Sequence, residues 1–369
     1  MLNMSFISDF LGDLGNFLRG GTVLGIDIGT SSVKVVELKK LGDRFALRNY
    51  GILETRDYLE HPNQAIQTSS LKLSERDAAA TLKLLLRDMK PKTNLAVATL
   101  PVFTTFTTTL DFPDLPPAET EKAIHFQAAQ YIPIPISQAS IEWRKVAEYT
   151  DKEGRKHQRI ILTATPNDVI RSYEQVFKLA GLRLVTLEHE PFAIARALKG
   201  SLTDAATLVV DIGAQSTSAI VLSRGAVEYV GQTDVSGIYL TQALSRSLEV
   251  SMSRSEELKR RRGLLGTGPE AELSTILLPF LDVIIQETRH TKELYAAQFG
   301  KRVEKVMFLG GGANLAGVEK YASGQLNLML GQHSFMQGLV YPKELVPALR
   351  DLDNRLLVAF GCAKRYFKQ

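Results

Sequence analysis

The chain has 369 residues, 44% hydrophobic and 23% charged, an ordinary globular composition with enough length for more than one lobe. Its formal net charge of +4 is slight, and no basic face with interleaved aromatics is present, so nothing points to nucleic acid. A single cysteine, Cys362, excludes an internal disulfide framework and fits a reducing compartment, and the six scattered histidines show no metal-ligand spacing.

Taken in chain order, residues 1–20 come first. Phe6, Ile7, Phe10, Leu11, Leu14, Phe17 and Leu18 recur at helical spacing, and Gly20-Gly21 ends the run, which predicts an amphipathic N-terminal helix. Its charges are Asp9, Asp13 and Arg19, so it lacks the basic face that anionic lipid favours and suits a protein partner better. No signal peptide or membrane span is expected. The longest uncharged run, Thr93 to Leu110, is threonine-rich and holds Pro101, and reads as two strands and a turn.

Strands are predicted at 22–28, 33–39 and 45–53. A loop near 60–72 leads into a helix from Ser74, with Ser74 and Asp77 at capping-box spacing and Lys90-Pro91 at its end. LAVATLP (95–101) reads as a buried strand. The composition then changes at about residue 102. FTTFTTTLDFPDLPP is rich in threonine and proline, and a helix with an acidic first turn follows at 118–131. After IPIPIS come the strand IEWRKVAEY, the charged hairpin turn 151–158, the returning strand RIILTATP and a helix at 167–180 closed by Gly181. The block 103–184 is expected to form a small α+β module inserted into a first lobe. That lobe spans 21–102 and is completed by 185–205 and 340–369. The second lobe is expected at 206–339, with a charged helix segment at 254–262, a long helix from Glu270 to Phe299 and the strand VEKVMFLGGGANL. A last helix, LLVAFGCAKRYF, ends the pattern.

One line of sequence occurs twice. LGIDIGTSSVKVVEL (24–38) returns as LVVDIGAQSTSAIVL (208–222). Each reads apolar strand, Asp-x-Gly turn, small hydroxyl residues, second strand. Gly29 supplies the tight turn, and Thr30, Ser31 and Ser32 bring hydroxyls and exposed N–H groups suited to phosphate oxygens. Lys34 can meet phosphate as a point charge, while Asp27 would repel it, so the natural task of Asp27 is a hydrated Mg²⁺. Asp211, Gly213, Gln215, Ser216 and Thr217 repeat the set. A lone Asp-x-Gly is only a hairpin turn. The repeat, joined by a buried strand running into Gly310-Gly311-Gly312, suggests one triphosphate clamped from both sides. No G-x-x-x-x-G-K-[ST] loop is present.

Together these elements resemble the actin-like ATPase superfamily, which covers actin, the heat-shock chaperone ATPases, sugar kinases and bacterial FtsA and MreB. GIDIGTSSVK (25–34) and VDIGAQST (210–217) resemble its two phosphate motifs, and LGGGANL (309–315), which includes Ala313, resembles its adenosine motif. EHEPFAIARAL (188–198) is similar to the connecting helix, which implies that Glu190 positions the attacking water. SRSEELKR (253–260) is similar to the ribose-contacting segment, which implies Glu256 and Lys259. AIHFQAAQYIPIPISQASIEW (123–143) and the stretch 160–198 narrow the resemblance to the type IV pilus assembly family PilM, over about 22–365.

That resemblance implies a two-lobe, actin-like α/β fold without the usual subdomain IB and with an FtsA-like module in the first lobe. It implies a cytoplasmic protein that binds ATP and Mg²⁺, with at most slow hydrolysis. It would be peripheral to the inner membrane and dock the short cytoplasmic N-terminus of a PilN-like protein. Pilus motor ATPases and self-association are further expectations. The peptide groove would lie between module and first lobe, with 103–110 and 118–131 as expected walls. The chain departs from the pattern in its IPIP tract, its long leader and Gln215, which stands where FtsA-like relatives often have glycine. The alternative is an FtsA-like division protein that polymerises and tethers to the membrane. A sugar kinase would need a catalytic Asp in a polar cleft, and no such segment stands out.

Overall fold

The computed structural model describes residues 21–55, 74–265 and 271–367. The leader helix and the loop near 60–72 lie outside the described residues.

Strands β1 (Thr22–Ile28), β2 (Ser32–Leu41) and β3 (Arg44–Glu54) form an antiparallel meander. β1 then pairs in parallel with β4 (Leu95–Leu100), and β4 with β8 (Arg183–His189). The short β14 (Leu339–Val340) joins β3, giving the order β14-β3-β2-β1-β4-β8. The second lobe repeats this wiring. β9 (Ala206–Ile212), β10 (Thr217–Ser223) and β11 (Ala226–Thr233) form a meander, and β9 pairs in parallel with β12 (Val303–Leu309). With β13 (Met329–Leu330) the order is β11-β10-β9-β12-β13. The doubled line of sequence is thus the first hairpin of each sheet.

Helix α1 (Glu75–Met89) starts where Ser74 Oγ accepts the Asp77 N–H at 3.2 Å, and Lys90 ends it in the left-handed region at φ 48°. Its buried stripe of Ala78, Ala79, Leu82, Leu85 and Met89 repeats every three to four residues. In chain order the other helices are α2 (Pro117–Gln127), α3 (Asn167–Ala180), α4 (Glu190–Leu198), α5 (Gly237–Leu248) and α6 (Met252–Arg262). They continue with α7 (Ala271–Phe299), α8 (Gly310–Ala313), α9 (Val318–Leu326) and α10 (Leu349–Tyr366).

The lobes meet on α4 and α10. Ile194, Leu198, Leu356 and Phe360 share one core with Val36 of the first sheet and Val209 and Ile220 of the second. The packing there is backbone to backbone. A Cβ at Gly361 would lie 2.0 Å from the Ala193 carbonyl oxygen, and one at Gly25 would lie 2.0 Å from that of Ala359. Gly361→Ala must therefore push α10 off α4, at a cost of about 1–3 kcal/mol or more. A lowered thermal midpoint is the expected result, and an unchanged one would show that the helices part freely.

Strands β5 (Phe106–Pro113), β6 (Ala139–Thr150) and β7 (Lys156–Pro166) make a separate antiparallel sheet in the order β5-β7-β6. With α2 it encloses its own core of Phe112, Ile124, Ala128, Ile132, Ile160, Leu162 and Ala164. In the IPIPI tract Ile132 is buried and Ile134 and Ile136 pack on the same core. The tract bends at Pro133 and Ile134 and enters a short 3-10 turn at Ile136, with proline fixing φ at each intervening position. The expected block 103–184 is longer than this unit. Val169, Tyr173, Val176 and Phe177 of α3 pack in the first lobe's core with α1. By packing, then, the module ends at Pro166 and α3 belongs to the lobe. The module also touches the second lobe. Arg159 of β7 donates to Asp111 at 2.6 and 2.9 Å and to the Gln298 carbonyl, and its guanidinium covers the Phe299 ring at 4.5 Å.

Candidate functional site

A cleft of about 330 Å³ opens between the lobes. The two hairpins enter it with the same turn. The Gly29 N–H donates to the Ser32 carbonyl at 3.0 Å, and the Gly213 N–H donates to the Ser216 carbonyl at 3.0 Å. The first hairpin is anchored behind by Thr55, whose N–H donates to the Ser31 carbonyl at 2.9 Å. At the tips Thr30 Oγ1 donates to Gln215 Oε1 at 3.3 Å, so the glutamine makes a contact across the cleft that glycine would lack.

Strand pairing places Lys34 opposite Asp27, and Ser218 opposite Asp211. One lysine therefore serves both hairpins. Lys34 Nζ is 2.7 Å from Asp27 Oδ2. Burial is the largest influence on Lys34 and disfavours its charge, but Asp27 first, then Asp211 and Glu190, outweigh it and raise its pKa. Asp211 is pushed up to about 6, chiefly by burial, with Lys34 pulling down and Asp27 pushing up. Glu190, the first residue of α4, lies well above the usual carboxylate range because of burial, then Asp211 and Asp27. Its carboxyl is hydrogen-bonded to Asp211. Two buried carboxylates, Asp27 and Asp211, and the half-buried Glu190 face one ammonium, and that excess of negative charge is what a divalent cation would relieve. Among the described residues no three His, Cys, Asp or Glu side chains are grouped tightly enough to hold a bare metal. This donor set fits Mg²⁺, which keeps most of its waters and needs only one or two carboxylates.

On the second lobe Glu256 of α6 meets Lys259 at 2.6 Å, and Thr241 Oγ1 donates to Glu256 at 2.5 Å. The pKa of Glu256 is lowered: burial is the largest influence and opposes this, but Lys259 outweighs it. The glycine run divides its labour. Gly310 has φ 79°, and a Cβ there would lie 2.2 Å from Asp211 Oδ1. One at Gly312 would lie 2.3 Å from the Ile212 side chain, whereas Gly311 has nothing within 4 Å. Two glycines let β12 pack on β9, and only Gly311 leaves open space beside the backbone.

Asp27, Gly29, Thr30, Ser31, Ser32, Lys34, Glu190, Asp211, Gly213, Gln215, Ser216, Glu256, Lys259 and Gly310 to Gly312 all line this cleft. Two predicted residues do not. Thr217 is buried and its hydroxyl donates to the Val235 carbonyl at 2.8 Å, because its strand position turns it away from the cleft. Ala313 packs into the second lobe's core. The sequence reading missed the cleft mouth. Glu54 of β3 pairs with Arg355 of α10 at 2.8 Å and with Arg260 of α6 at 3.2 Å, linking the lobes. Arg260 lies in the charged helix segment 254–262, and Glu54 and Arg355 are 301 residues apart.

A second cavity, of about 530 Å³, lies between the module and the first lobe. Ser140 and Glu142 of β6, Ile170 of α3, Leu184 and His189 of β8, and Leu100 of β4 are among its walls. The segments 103–110 and 118–131, expected as groove walls, do not line it. His189 is held down at about 4 by burial first and then by Arg144, so its imidazole is neutral near pH 7.

Among the described residues no helix is long and apolar enough to cross a membrane. Comparison with known proteins agrees with the geometry. A solved PilM-PilN type IV pilus biogenesis complex matches with a TM-score of 0.80 and 25% identity, over 94% of this chain and 99% of that one. The ethanolamine utilization protein EutJ from Carboxydothermus hydrogenoformans matches with a TM-score of 0.54 and 17% identity, over 93% of this chain and 89% of that one. MreB5 of Spiroplasma citri, bound to AMPPNP, matches with a TM-score of 0.53 and 13% identity, over 94% of this chain and 96% of that one. These likenesses show the two-lobe, actin-like fold. The profile of the type IV pilus assembly protein PilM family matches residues 25–367, nearly the whole chain. By that match, the chain belongs to the PilM family of type IV pilus assembly proteins.

Proposed function

We propose that this chain is a cytoplasmic, Mg·ATP-binding adaptor of type IV pilus assembly, docking an inner-membrane PilN-like protein through a short N-terminal peptide. The observation that supports nucleotide binding is the pair of equivalent turns, at Gly29 and Gly213, facing one cleft beside more buried carboxylate than positive charge. Asp27 and Asp211 would hold the hydrated Mg²⁺, which neutralises the phosphates when bound. The two turns and Lys34 would take the phosphate oxygens, Glu256 and Lys259 the ribose, and Gly311 the base. Glu190, whose pKa is raised by burial and then by Asp211 and Asp27, would position the attacking water, with at most slow turnover.

For the partner, the similar structure is a PilM-PilN complex. Here β8 is an edge strand, with half-buried Leu184, Val185 and Leu187 bordering the second cavity. An apolar edge is an unfilled pairing site, and an extended peptide adding to it would satisfy its backbone. The test is titration of the full chain with a peptide copying the cytoplasmic N-terminus of the cell's own PilN-like protein. One peptide per chain is expected, with affinity lowered about tenfold or more in Ile170→Glu, since an unpaired charge in the groove costs over about 1.4 kcal/mol. No binding to the wild type would refute the docking role, and filaments formed without it would favour the FtsA-like reading.

A further inference from the structure

Charge spans the mouth of the cleft. Glu54 is the last residue of β3, and its two carboxylate oxygens go to different lobes. Oε1 accepts from Arg355 of α10 at 2.8 Å, and Oε2 accepts from Arg260 of α6 at 3.2 Å. α10 packs on β1, where Ala359 meets Gly25, so the Arg355 pair stays within the first lobe. The Arg260 pair crosses to the second. Each arginine is also held from one turn earlier on its own helix, Arg260 by Glu256 at 2.8 Å and Arg355 by Asp351 at 3.4 Å. Glu54 is thus aimed by one lobe and caught by the other.

Both ends of this bridge are mounted on the groups assigned to nucleotide. Strand register sets Glu54 opposite Ser32. The next residue, Thr55, is fastened to the first turn, with its N–H donating to the Ser31 carbonyl at 2.9 Å and its hydroxyl to the Thr30 carbonyl at 3.0 Å. On the other side Glu256 holds both Arg260 and Lys259. Glu54, Arg260 and Arg355 line the same cleft as those groups. The lobes cannot part at this point without separating Glu54 from Arg260.

We propose that Glu54 is a latch on the cleft, whose pair with Arg260 breaks each time nucleotide enters or leaves. The inference rests on the nucleotide reading above and assigns a control of its exchange. The side chains of Glu54 and Arg260 are 40% and 53% exposed, so water and salt screen the pair and its effect is modest. Its kind of effect is distinctive. A contact made in the closed cleft, empty or filled, and lost on opening slows entry and release alike. Its removal changes both rates and leaves affinity nearly unchanged, because it favours neither the empty nor the filled state. A contact to the ligand itself would change affinity.

The test is stopped-flow kinetics of the full-length protein with a fluorescent ATP analogue in Mg²⁺, chased by excess ATP, with binding of unlabelled ATP confirmed by calorimetry. Glu54→Gln is expected to speed entry and release by about three- to fivefold each, with affinity within about twofold of wild type. Raising salt from about 0.05 to 0.5 M should narrow the gap between the two proteins, because salt screens the pair in the wild type and has no pair to screen in the variant. Arg260→Gln also disturbs Glu256, so the double variant isolates the latch: adding Glu54→Gln to Arg260→Gln should speed release no further. Equal release rates in the wild type and Glu54→Gln overturn the latch and leave the nucleotide reading intact. Affinity that falls as far as release rises also overturns it and makes Glu54 a ligand contact, and full additivity in the double variant overturns it as well. Absence of Mg·ATP binding to the wild type overturns the nucleotide reading and this inference together.

Discussion

Asp211→Asn is expected to raise the thermal stability of the ligand-free protein and to weaken Mg·ATP binding about 10- to 100-fold, or roughly 1.4 to 2.8 kcal/mol. The reason is the crowding of buried carboxylates. Asp211 faces Asp27 and Glu190, and its pKa is raised to about 6 by burial and by Asp27 against the pull of Lys34. The neutral amide keeps the shape but removes the repulsion. Asp27→Asn should weaken Mg·ATP by a similar factor and change stability in the opposite direction. Asp27 is the 2.7 Å partner of half-buried Lys34, and breaking a fully buried pair costs up to about 3–5 kcal/mol, an upper bound here. Two neighbouring carboxylates with opposite effects on the thermal midpoint and the same effect on affinity would be hard to explain by simple damage to the fold.

The same shift sets a pH dependence. Asp211 in the folded chain keeps its proton up to about pH 6, whereas the unfolded chain releases it near the ordinary value of 3.8. The folded state binds more protons between these values, so this stabilisation is complete below about pH 4 and lost as pH rises through 6. The wild type should lose stability over that window relative to Asp211→Asn, by thermal melts of ligand-free protein. Melting curves that run parallel for the two proteins from pH 4 to 7 would contradict the shift.

Gly310→Ala is the second large effect. With φ 79° the residue is in the left-handed region, and the added Cβ would lie 2.2 Å from Asp211 Oδ1 and 2.6 Å from the Ile212 carbonyl oxygen. Backbone cannot swing aside, so β12 must separate from β9 and carry Asp211 out of place. Strain and overpacking together predict a loss of about 2–4 kcal/mol and of measurable Mg·ATP binding. Gly311→Ala, one residue on, meets nothing within 4 Å and should fold like the wild type. Equal melting temperatures for the two variants would contradict this division of labour.

Much of this was legible in the sequence because it is local. The doubled Asp-x-Gly hairpin fixed two strands, a turn and a carboxylate in each lobe, and the capping pair Ser74 and Asp77 marked the start of α1. What escaped depends on contacts between distant segments. The stripe of α3 is equally apolar whether it packs on the module or on α1, so the module's edge at Pro166 could not be read from it. The Glu54, Arg260 and Arg355 cluster is assembled from three elements by the closing of the lobes. Thr217 was read as a phosphate ligand from its hydroxyl, yet strand alternation turns it to the Val235 carbonyl. The second cavity needs β6, α3 and β8 brought together, and no motif announces it.

The most direct test of the central claim, that two hairpins hold one magnesium nucleotide, is calorimetric titration of the wild-type chain with ATP in Mg²⁺ and in excess EDTA. The account predicts one nucleotide per chain with Mg²⁺ and affinity at least about tenfold lower in EDTA, where the phosphates meet Asp27, Asp211 and Glu190 unshielded. No heat under either condition, or equal affinity in both, would contradict it.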